Sequence, residues 1–519
     1  MPEAPAIVVS GNRDHTIDEI RALLRSSDVA VIATASGEHI RQRTMHLGFE
    51  EDFSIYLASM HNDPKILQFI NHPHVSILVL RRDGPITESE EVEYTGRAIL
   101  LKDPADRERC LQATARTSPV VQALAAQNQT SVLDCIQIVP ETIKYRKFNE
   151  IVKGTPPTVL EFPHHQRAAD DLAQLRMKLG SWWTAIRVNS LTASLVPVLV
   201  GTAAAWAERG RLNLVAFLVT LLGGVLAQVA VNLMNDYYDH RALADETNQS
   251  FVRPFSGGSR VIQLGLLTPL EVLVGAITAM VLAIAAGLYL TWYAGPLVLV
   301  LAAAGAVAIL TYNRPHGFSL IRIGLGEASI GLSFGVFMVL GAYYVQAGRL
   351  SVGALAASLP VALLITAIIY INEFPDAEAD AKAGKPTLVV RWGQEKALAR
   401  LGWFIWPAFL FVVAGAFIRL FPPAALASLV GVPLAWRAIS HAREHHADSV
   451  DMAPANAWVA LTHLAVGLGL AVGYAGDALG VSGLPVTTVL AVLSVWFVWY
   501  MHVYTMRLMA ASQTVRRAF

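Results

Sequence analysis

Long apolar runs without charged residues recur along the chain from residue 188 to residue 506, whereas the first 150 residues contain only shorter runs. Each long run can span the hydrocarbon core of a bilayer as a helix. The predicted spans are 188–206, 212–234, 272–312, 328–346, 350–371, 401–418, 420–436, 455–476 and 479–506. The third run is too long for one helix and contains Ala294-Gly295-Pro296, where a helix is expected to break. The pattern therefore predicts nine to ten membrane helices.

The first 150 residues are predicted to form a soluble α+β domain. Runs rich in β-branched and aromatic residues indicate strands, and turn-forming residues such as Ser36-Gly37 separate them. The predicted strands are 29–34, 53–58, 75–80, 93–101 and 136–143, and the predicted helices lie near 64–71 and 104–126. Closely spaced strands with few helices favour a small barrel.

Residues 151–183 are predicted to connect this domain to a membrane domain that comprises residues 184–519. Proline and polar residues dominate 151–170, as is typical of a linker. Residues 168–183 favour an amphipathic helix that ends in Trp182-Trp183. Tryptophans at the headgroup level are typical of helices that lie in the membrane surface.

Composition agrees with a membrane protein, because hydrophobic residues make up 54% of the chain and charged residues only 15%. The formal net charge is +0, so nothing indicates a nucleic acid partner. The chain has 2 cysteines, Cys110 and Cys135, which suit neither a disulfide framework nor a cysteine metal site. We expect both to be reduced and buried.

Basic residues are unevenly distributed between the loops on the two sides of the predicted bundle. Alternate loops and the C-terminus hold most of them, whereas the opposite loops hold only Arg209, Arg211, Arg349 and Arg419. The positive-inside rule then places the basic loops and the N-terminal domain in the cytoplasm. The prediction is a multi-pass protein of the cytoplasmic, or inner, membrane.

Two acidic stretches follow apolar runs and lie at the same predicted membrane surface. They are NLMNDYYDHRALAD at 232–245 and NEFPDAEADAKAGK at 372–385. In each stretch an asparagine and two aspartates recur at helical spacing and share one face: Asn232, Asp236 and Asp239 in the first, and Asn372, Asp376 and Asp380 in the second. Bare carboxylates at the ends of membrane helices are costly, so a bound cation is expected.

Basic residues follow each acidic stretch. Arg253 and Arg260 follow the first stretch, and Lys385 and Arg391 follow the second. Magnesium prefers a few carboxylates plus substrate phosphates, and basic side chains bind phosphate oxygens. The pattern predicts a diphosphate clamp, and the apolar helices behind it can house a long hydrocarbon. The predicted ligand is a lipid diphosphate.

A lipid diphosphate held in this way is poised to lose its diphosphate. Magnesium and cations stabilise the charge on the leaving group, and an allylic carbocation then needs a dry pocket with π electrons nearby. Tyr237, Tyr238 and Tyr312 are candidates for the wall of that pocket, with an interfacial aromatic belt as the alternative. An electron-rich aromatic ring would attack the cation.

At these residues the chain resembles a known family. Residues 184 to about 475 are similar to the UbiA superfamily of intramembrane aromatic prenyltransferases. The resemblance rests on the two aspartate-rich stretches and on RPFSGGSR at 253–260, GLGE at 324–327 and TLVVRWG at 387–393. These motifs look most like those of the 1,4-dihydroxy-2-naphthoate prenyltransferases of menaquinone synthesis.

The resemblance implies a nine-helix bundle with a central cavity, a magnesium cofactor, a polyprenyl diphosphate donor and an aromatic acceptor. It implies that magnesium is coordinated by Asp236, Asp239, Asp376 and Asp380. It also implies that the clamp is oriented by Asn232, Asn235 and Asn372, and that diphosphate is held by Arg253 and Lys385.

The chain also departs from the family pattern. Asp245 follows Asp239 at an irregular spacing, Pro375 precedes Asp376, and the run 479–506 lies beyond the nine expected helices. Glu327 lies at the start of a predicted membrane helix. It is either a functional group or an acid that complements the helix dipole, and the sequence leaves both open.

The N-terminal domain resembles the pyridoxamine 5′-phosphate oxidase-like split barrels, many of which bind flavin. The similar segments are 43–45, 59–65, 71–76 and 95–98. The resemblance implies that Arg43 and Lys65 hold the phosphate of FMN. The alternative is that both are solvated surface charges.

Two further functions remain open from the sequence. One is an ion-coupled transporter that uses the acidic residues, although transporters place such groups near the bilayer midplane. The other is a prenyltransferase for a different aromatic or lipid acceptor, with the N-terminal domain acting as a flavin reductase on the product or as a flavin-binding regulator.

Overall fold

The computed structural model describes residues 7–12, 14–36, 39–60, 63–82, 84–127, 129–162, 171–241, 258–263, 266–312, 318–382, 384–446 and 448–517. The chain forms two compact units. The first comprises Met1–Trp182 and Val261–Pro269, and the second comprises Trp183–Arg260 and Leu270–Phe519.

The first unit is built on an antiparallel sheet. Its strands are β1 (Val8–Gly11), β2 (Val29–Ser36), β3 (His39–His46), β4 (Gly48–Phe49), β5 (Ile55–Met60), β6 (His74–Arg81), β7 (Glu90–Leu100), β8 (Leu133–Lys147) and β9 (Thr158–Glu161). Its helices are α1 (Ile17–Arg25), α2 (Pro64–Asn71), α3 (Pro104–Ala115), α4 (Pro119–Ala126) and α5 (Phe148–Val152).

Strand β8 organises the sheet. The hydrogen-bonded order is β1-β9-β8-β7-β6-β2-β3, and β5 joins β8 while also pairing with β4. One side of β8 pairs with β7, and the other side pairs first with β5 and then with β9. The inward residues alternate along β7 and pack with Ile20, Ile32 and Phe53 in one core, as expected for strands with one buried face.

The five strands and the 64–71 helix that the sequence predicts are present, and 104–126 contains two helices, α3 and α4. Strands β1, β3, β4 and β9 were not predicted. Strand β3 ends the sheet path and contains His39, Arg41 and Arg43, so its pattern is more polar than that of a buried strand. Strand β9 lies in the proline-rich stretch after residue 150, so the sheet extends into the segment expected to be a linker.

The second unit is helical. Its helices are α6 (Asp171–Ala185), α7 (Thr192–Arg209), α8 (Leu214–Arg241), α9 (Pro269–Ala294), α10 (Leu297–Tyr312), α11 (Gly326–Ala347), α12 (Val352–Lys382), α13 (Leu388–Trp392), α14 (Gln394–Arg400), α15 (Gly402–Phe417), α16 (Val432–His445), α17 (Ser449–Leu479) and α18 (Leu484–Arg517). Helix α6 begins in the first unit and ends in the second.

Nine helical segments within the described residues are long and apolar enough to cross a membrane, and α10 is a shorter apolar helix. The expected break in the long third run is present, because α9 ends at Ala294 and α10 begins at Leu297. Gly295, with φ 118°, takes a conformation that favours glycine. The prediction of an α+β domain followed by a multi-spanning helical bundle is confirmed.

A close contact between helices α11 and α12 positions their acidic residues. Helix α11 contains a π-helical segment, Gly331–Phe337, which packs against α12. A Cβ atom at Gly335 would overlap the backbone of Ala362 on α12, so only glycine permits this approach. The contact brings the start of α11 and the end of α12, both of which carry acidic residues, to neighbouring positions.

Candidate active site

The first acidic stretch forms the last turns of α8. Asp236 is only 2% exposed, and its carboxylate is paired with the Arg187 guanidinium. It also accepts hydrogen bonds from the Ser259 backbone N–H at 3.3 Å and from the Ser259 hydroxyl. Arg187 has φ 52°, a left-handed conformation that is costly for a residue other than glycine. The turn before α7 is therefore shaped so that a guanidinium reaches the buried carboxylate.

Both asparagines of this stretch have defined hydrogen bonds. The Asn232 amide donates to the Ile186 carbonyl at 3.0 Å and to the Ser190 hydroxyl at 2.9 Å. The Asn235 amide donates to the Asp239 carboxylate at 2.8 Å. Asn232 thus fixes α8 against the segment that carries Arg187, while Asn235 orients Asp239.

The second acidic stretch forms the end of α12. The Asn456 amide on α17 donates to the Asn372 side-chain oxygen at 2.9 Å and to the Ile371 carbonyl at 3.1 Å. Pro375 lies inside this helix, and α12 continues beyond it to Lys382. Asp376 lies on α12 between Asn372 and Asp380, and its side chain also has an interaction partner.

Lys385 connects the two stretches. Its ammonium lies 3.4 Å from Asp380 Oδ1 and is near enough to Asp239 to attract that carboxylate as well. Burial raises the pKa of the Asp380 carboxyl, and the Lys385 charge opposes that rise. Lys385 therefore interacts electrostatically with carboxylates at the ends of both α8 and α12.

A divalent cation would find oxygen ligands at this position. Asp380 Oδ2 is buried and has no hydrogen-bond partner among the described residues. Those residues contain no group of three or more His, Cys, Asp or Glu side chains arranged to hold a metal ion. Magnesium can bind with only one or two carboxylates when substrate phosphates complete its coordination, so the acidic residues fit a metal that arrives with its ligand.

Tyr312 and two glutamates lie beside the clamp. Tyr312 is close to Glu327, Glu373 and Asp380, and a Cβ atom at Gly326 would lie 3.1 Å from the Tyr312 ring. Tyr237 and Tyr238 contact each other, with ring centroids 5.6 Å apart, and Tyr238 is 59% exposed. Tyr312 is thus within electrostatic range of the acidic residues of α12.

The predicted basic residues occupy different positions. The Arg391 guanidinium donates to the Pro386 carbonyl at 2.9 Å and also to the Arg322 carbonyl. Arg391 therefore ties the segment after α12 to the segment before α11. Arg260 is 9% exposed and has φ 58°, next to Ser259. Arg253 lies outside the described residues.

The two basic residues predicted to bind flavin lie near each other in the first unit. The Arg43 guanidinium donates to the Gln68 side chain at 2.6 Å and to the Thr34 hydroxyl. Lys65 lies 3.1 Å from Asp63, and the same carboxylate is close to Arg43. Burial lowers the pKa of Arg43, and Asp63 opposes this. A phosphate here would meet two cations but would compete with Asp63.

Arg187, Ser259 and Asn456 are site residues that the sequence analysis did not identify. Arg187 carried a detectable signal, because it is a charged residue immediately before a long apolar run. Ser259 lies within the RPFSGGSR motif, but only the fold shows which of its residues approaches Asp236. Asn456 lies near the start of the run 455–476, two residues after Pro454, and nothing in its neighbours indicates a contact with Asn372.

Comparison with known proteins identifies the family. Residues 194–460 match the UbiA prenyltransferase family. The chain belongs to this family. A 1,4-dihydroxy-2-naphthoate octaprenyltransferase from Escherichia coli (strain K12) is 33% identical over 226 residues, which are 42% of this chain and 70% of that protein. The enzyme of that name from Mycobacterium tuberculosis (strain ATCC 25618 / H37Rv) is 32% identical over 51% of this chain and 86% of its own length.

Solved structures resemble each part of this UbiA-family chain. A putative pyridoxamine 5′-phosphate oxidase from Listeria innocua has 27% identity over 25% of this chain and 97% of that chain, with a TM-score of 0.20. A structure titled for digeranylgeranylglyceryl phosphate synthase has 18% identity over 57% of this chain and 99% of that chain, with a TM-score of 0.40.

Family membership establishes the general activity. The protein is a multi-pass membrane prenyltransferase, and the interpretation as an ion-coupled transporter is not supported. The acidic residues agree with this activity, because they lie at the ends of α8 and α12 rather than midway along these helices.

Proposed function

We propose that this protein transfers a polyprenyl group from its diphosphate to 1,4-dihydroxy-2-naphthoate in menaquinone synthesis. The observation that carries the proposal is that Lys385 forms an ion pair with Asp380 and also attracts the Asp239 carboxylate electrostatically. One cation thus interacts with both acidic stretches, and the apolar helices of this unit can hold a hydrocarbon chain. The naphthoate acceptor is inferred from relatives named for it, including those from Escherichia coli and Mycobacterium tuberculosis.

Two cations of this chain are proposed to hold the diphosphate. Lys385 would exchange part of its contact with Asp380 for a phosphate oxygen. Arg187 pairs with Asp236 through one terminal nitrogen, and its buried Nε has no partner among the described residues. We propose that this N–H donates to a phosphate oxygen of the diphosphate beside the first acidic stretch, since guanidinium groups bind phosphates well. Arg253 and Arg260 are proposed to contribute from the following segment.

Magnesium is proposed to bind with the diphosphate, held by Asp239, Asp376 and Asp380. Asp236 is the fourth proposed ligand, but its carboxylate already contacts Arg187 and Ser259 and would have to release one of them. When bound, the ion would offset negative charge on the leaving diphosphate. The asparagines keep their present contacts: Asn235 orients Asp239, and Asn372 is held by Asn456.

The aromatic residues beside the clamp are proposed to protect the allylic cation. Breaking the allylic C–O bond leaves positive charge next to the diphosphate, and a tyrosine ring can stabilise it without attacking it. Tyr312 is placed for this role because it is close to Asp380. Water must be excluded, since it would capture the cation in place of the acceptor.

A direct assay tests this proposal. The full-length protein, purified in detergent or nanodiscs, is supplied with magnesium, a polyprenyl diphosphate and 1,4-dihydroxy-2-naphthoate. We expect a prenylated product by mass spectrometry, with diphosphate released in equal amount and with loss of activity on chelation of magnesium. Prenylation of a different aromatic ring, with none of the naphthoate, would contradict the acceptor assignment. An absence of product with every acceptor would contradict the reaction itself.

A second activity is proposed for the first unit, which is flavin binding through Arg43 and Lys65. Its support is that two basic side chains from β3 and α2 come together around Asp63. A bound flavin would supply reducing chemistry for a quinone. Because the two units are fused, the product of one unit would have a raised local concentration near the other unit.

We also propose that the protein lies in the inner membrane with its N-terminal unit in the cytoplasm. The support is the excess of basic residues in alternate loops. Cysteine labelling from outside intact cells tests this. A cysteine introduced at residue 349 should be labelled, whereas a cysteine introduced at residue 382 should be protected. The opposite pattern would show that the orientation is the reverse of the proposed one.

A further inference from the structure

Glu327 and Glu373 form a buried pair of carboxyl groups that diphosphate binding does not require. Glu327 is 0% exposed at the start of α11, and Glu373 is 6% exposed on α12. The two carboxyl groups lie near each other in the helical unit. Burying two carboxylates in contact is very costly unless a proton lies between them. A ligand that donates hydrogen bonds to the pair would offset this cost.

The pair has hydrogen-bonding capacity that no described residue satisfies. One oxygen of Glu327 accepts from the Leu388 backbone N–H at 2.7 Å. The other oxygen of Glu327 and both oxygens of Glu373 are buried and receive no hydrogen bond from the described residues. Unsatisfied buried carboxyl oxygens are rare in native folds, and they are expected where a ligand donates.

The surroundings of the pair indicate what that ligand is. Glu373 and Asp380 are two helical turns apart on one face of α12, so Glu373 lies about 10 Å deeper in the helical unit. Lys385 is close to both, and Tyr312 is close to the pair and to Asp380. A ligand group at the pair would thus be next to the diphosphate position on its membrane side. The reacting ring of the acceptor must occupy such a place.

We propose that Glu327 and Glu373 bind a ring hydroxyl of the aromatic acceptor and accept its proton during prenyl transfer. The proposal rests on the proposed prenyltransferase reaction and adds a proton acceptor to it. Glu373 is the catalytic residue that touches the hydroxyl. Glu327 is the positioning residue, because the Leu388 N–H fixes one of its oxygens.

The bond changes balance in two steps. The allylic C–O bond breaks and its electron pair leaves with the diphosphate, while ring π electrons form the new C–C bond and the hydroxyl proton passes to the glutamate pair. The attacked ring carbon, which carries the carboxylate in the naphthoate acceptor, then releases that carboxylate as carbon dioxide. The electron pair left behind restores the aromatic ring, and the glutamate pair returns the proton to the ring oxygen.

A purely structural role explains only part of this arrangement. Glu327 alone satisfies the Leu388 N–H with one oxygen, as a helix-terminal acid would. Glu373 has no such backbone partner, and an apolar side chain at its position would avoid the cost of the pair.

Kinetics of Glu373→Gln test the proposal, because glutamine can still hydrogen-bond to Glu327 but cannot accept a proton. We expect kcat to fall about 100-fold or more while KM for the polyprenyl diphosphate stays the same. Glu373→Asp should recover part of the rate. The matched control is Glu378→Gln on the same helix, where an exposed glutamate pairs with Lys382, and its kcat should equal that of the wild type.

A second substrate separates proton transfer from structural damage. The two mono-O-methyl ethers of the naphthoate acceptor each lack one hydroxyl proton. We expect the wild type to be slow on one of them, and Glu373→Gln to be no slower than the wild type on that ether. Equal losses on the ether and the parent acceptor would overturn the proposal, as would a kcat within threefold of the wild type.

The remaining outcomes are also decisive. If Glu373→Gln fails to fold, the same comparison is made with Glu327→Gln, whose amide oxygen can still accept from Leu388, and with Glu373→Asp. A wild type that prenylates no aromatic acceptor contradicts the proposed function and this inference together. A wild type that is active, with glutamate variants that match it on both substrates, contradicts this inference alone.

Discussion

The ammonium of Lys385 lies 3.4 Å from Asp380 on α12 and also attracts Asp239 on α8. A single cation thus interacts with carboxylates of two acidic stretches that are distant in the sequence. Without a ligand, Lys385 reduces the repulsion between these carboxylates. With a diphosphate present, the same ammonium can bind phosphate oxygens while the carboxylates bind the metal.

Replacement of Lys385 by alanine should therefore impair the reaction strongly. We expect kcat/KM for the polyprenyl diphosphate to fall about 100-fold to 1,000-fold, the usual effect of removing one group that stabilises the developing charge. The measurement is steady-state diphosphate release. The matched control is Lys382→Ala, which removes an exposed lysine paired with Glu378 and should leave kcat/KM unchanged. Equal effects of the two substitutions would contradict the role of Lys385.

The effects of substituting Arg187 and Asp236 on stability should be coupled. For activity, each residue should be required. Arg187→Gln leaves the buried Asp236 carboxylate without its guanidinium and should cost about 3–5 kcal/mol in the free energy of unfolding. Adding Asp236→Asn removes that unpaired charge and should recover most of the stability. Thermal unfolding in detergent measures both. Activity should stay low in the double variant, because the clamp lacks both groups.

If the double variant regained prenyl transfer, Arg187 and Asp236 would serve only the fold. If Arg187→Gln were as stable as the wild type, the ion pair would contribute little. A suitable control is Arg349→Gln, which removes an exposed arginine paired with Glu208 outside the acidic stretches. Its effect on stability should be smaller, since exposed ion pairs contribute little.

The membrane helices were predictable because each one carries its own signal in the sequence. The span 350–371 is apolar throughout, and the observed α12 contains it and extends to Lys382. Asn372, Asp376 and Asp380 were predictable for the same reason, since helical spacing alone places them on one face. Strand β3 was missed because an edge strand with Arg41 and Arg43 lacks the pattern of a buried strand.

Contacts between distant segments were not predictable in this way. Arg391 has the residue type expected of a diphosphate ligand, yet its guanidinium donates to the carbonyls of Pro386 and Arg322. Glu373 lies within the second acidic stretch, but the sequence does not indicate its partner. Its contact with Glu327 depends on the packing of α11 against α12, which a single sequence does not specify.

That packing itself gives a prediction. Gly335→Ala should destabilise the protein by about 1–3 kcal/mol, because the added methyl group overlaps Ala362 and must push α11 away from α12. The same shift would separate Glu327 from Glu373, so kcat should fall as well. Gly287→Ala on α9 is the control, since no atom lies within 4 Å of its added Cβ, and it should be neutral or slightly stabilising. Thermal unfolding and kcat, measured together on both variants, check the expectation, and equal behaviour would contradict it.

Flavin binding by the first unit gives the last prediction, and the full-length protein tests it. If Arg43 and Lys65 hold a flavin phosphate, the purified protein should be yellow or should become so when FMN is added. Arg43→Gln should weaken FMN binding about 10-fold or more, because it removes a charge-assisted hydrogen bond to the phosphate. Asp63→Asn should strengthen FMN binding, since Asp63 competes with the phosphate for both cations.

Arg82→Gln, at an exposed arginine, is the control and should have no effect on FMN binding. Titration of FMN followed by fluorescence quenching measures all three, and a weaker affinity in Asp63→Asn would show that this carboxylate orients the cations instead of competing for them.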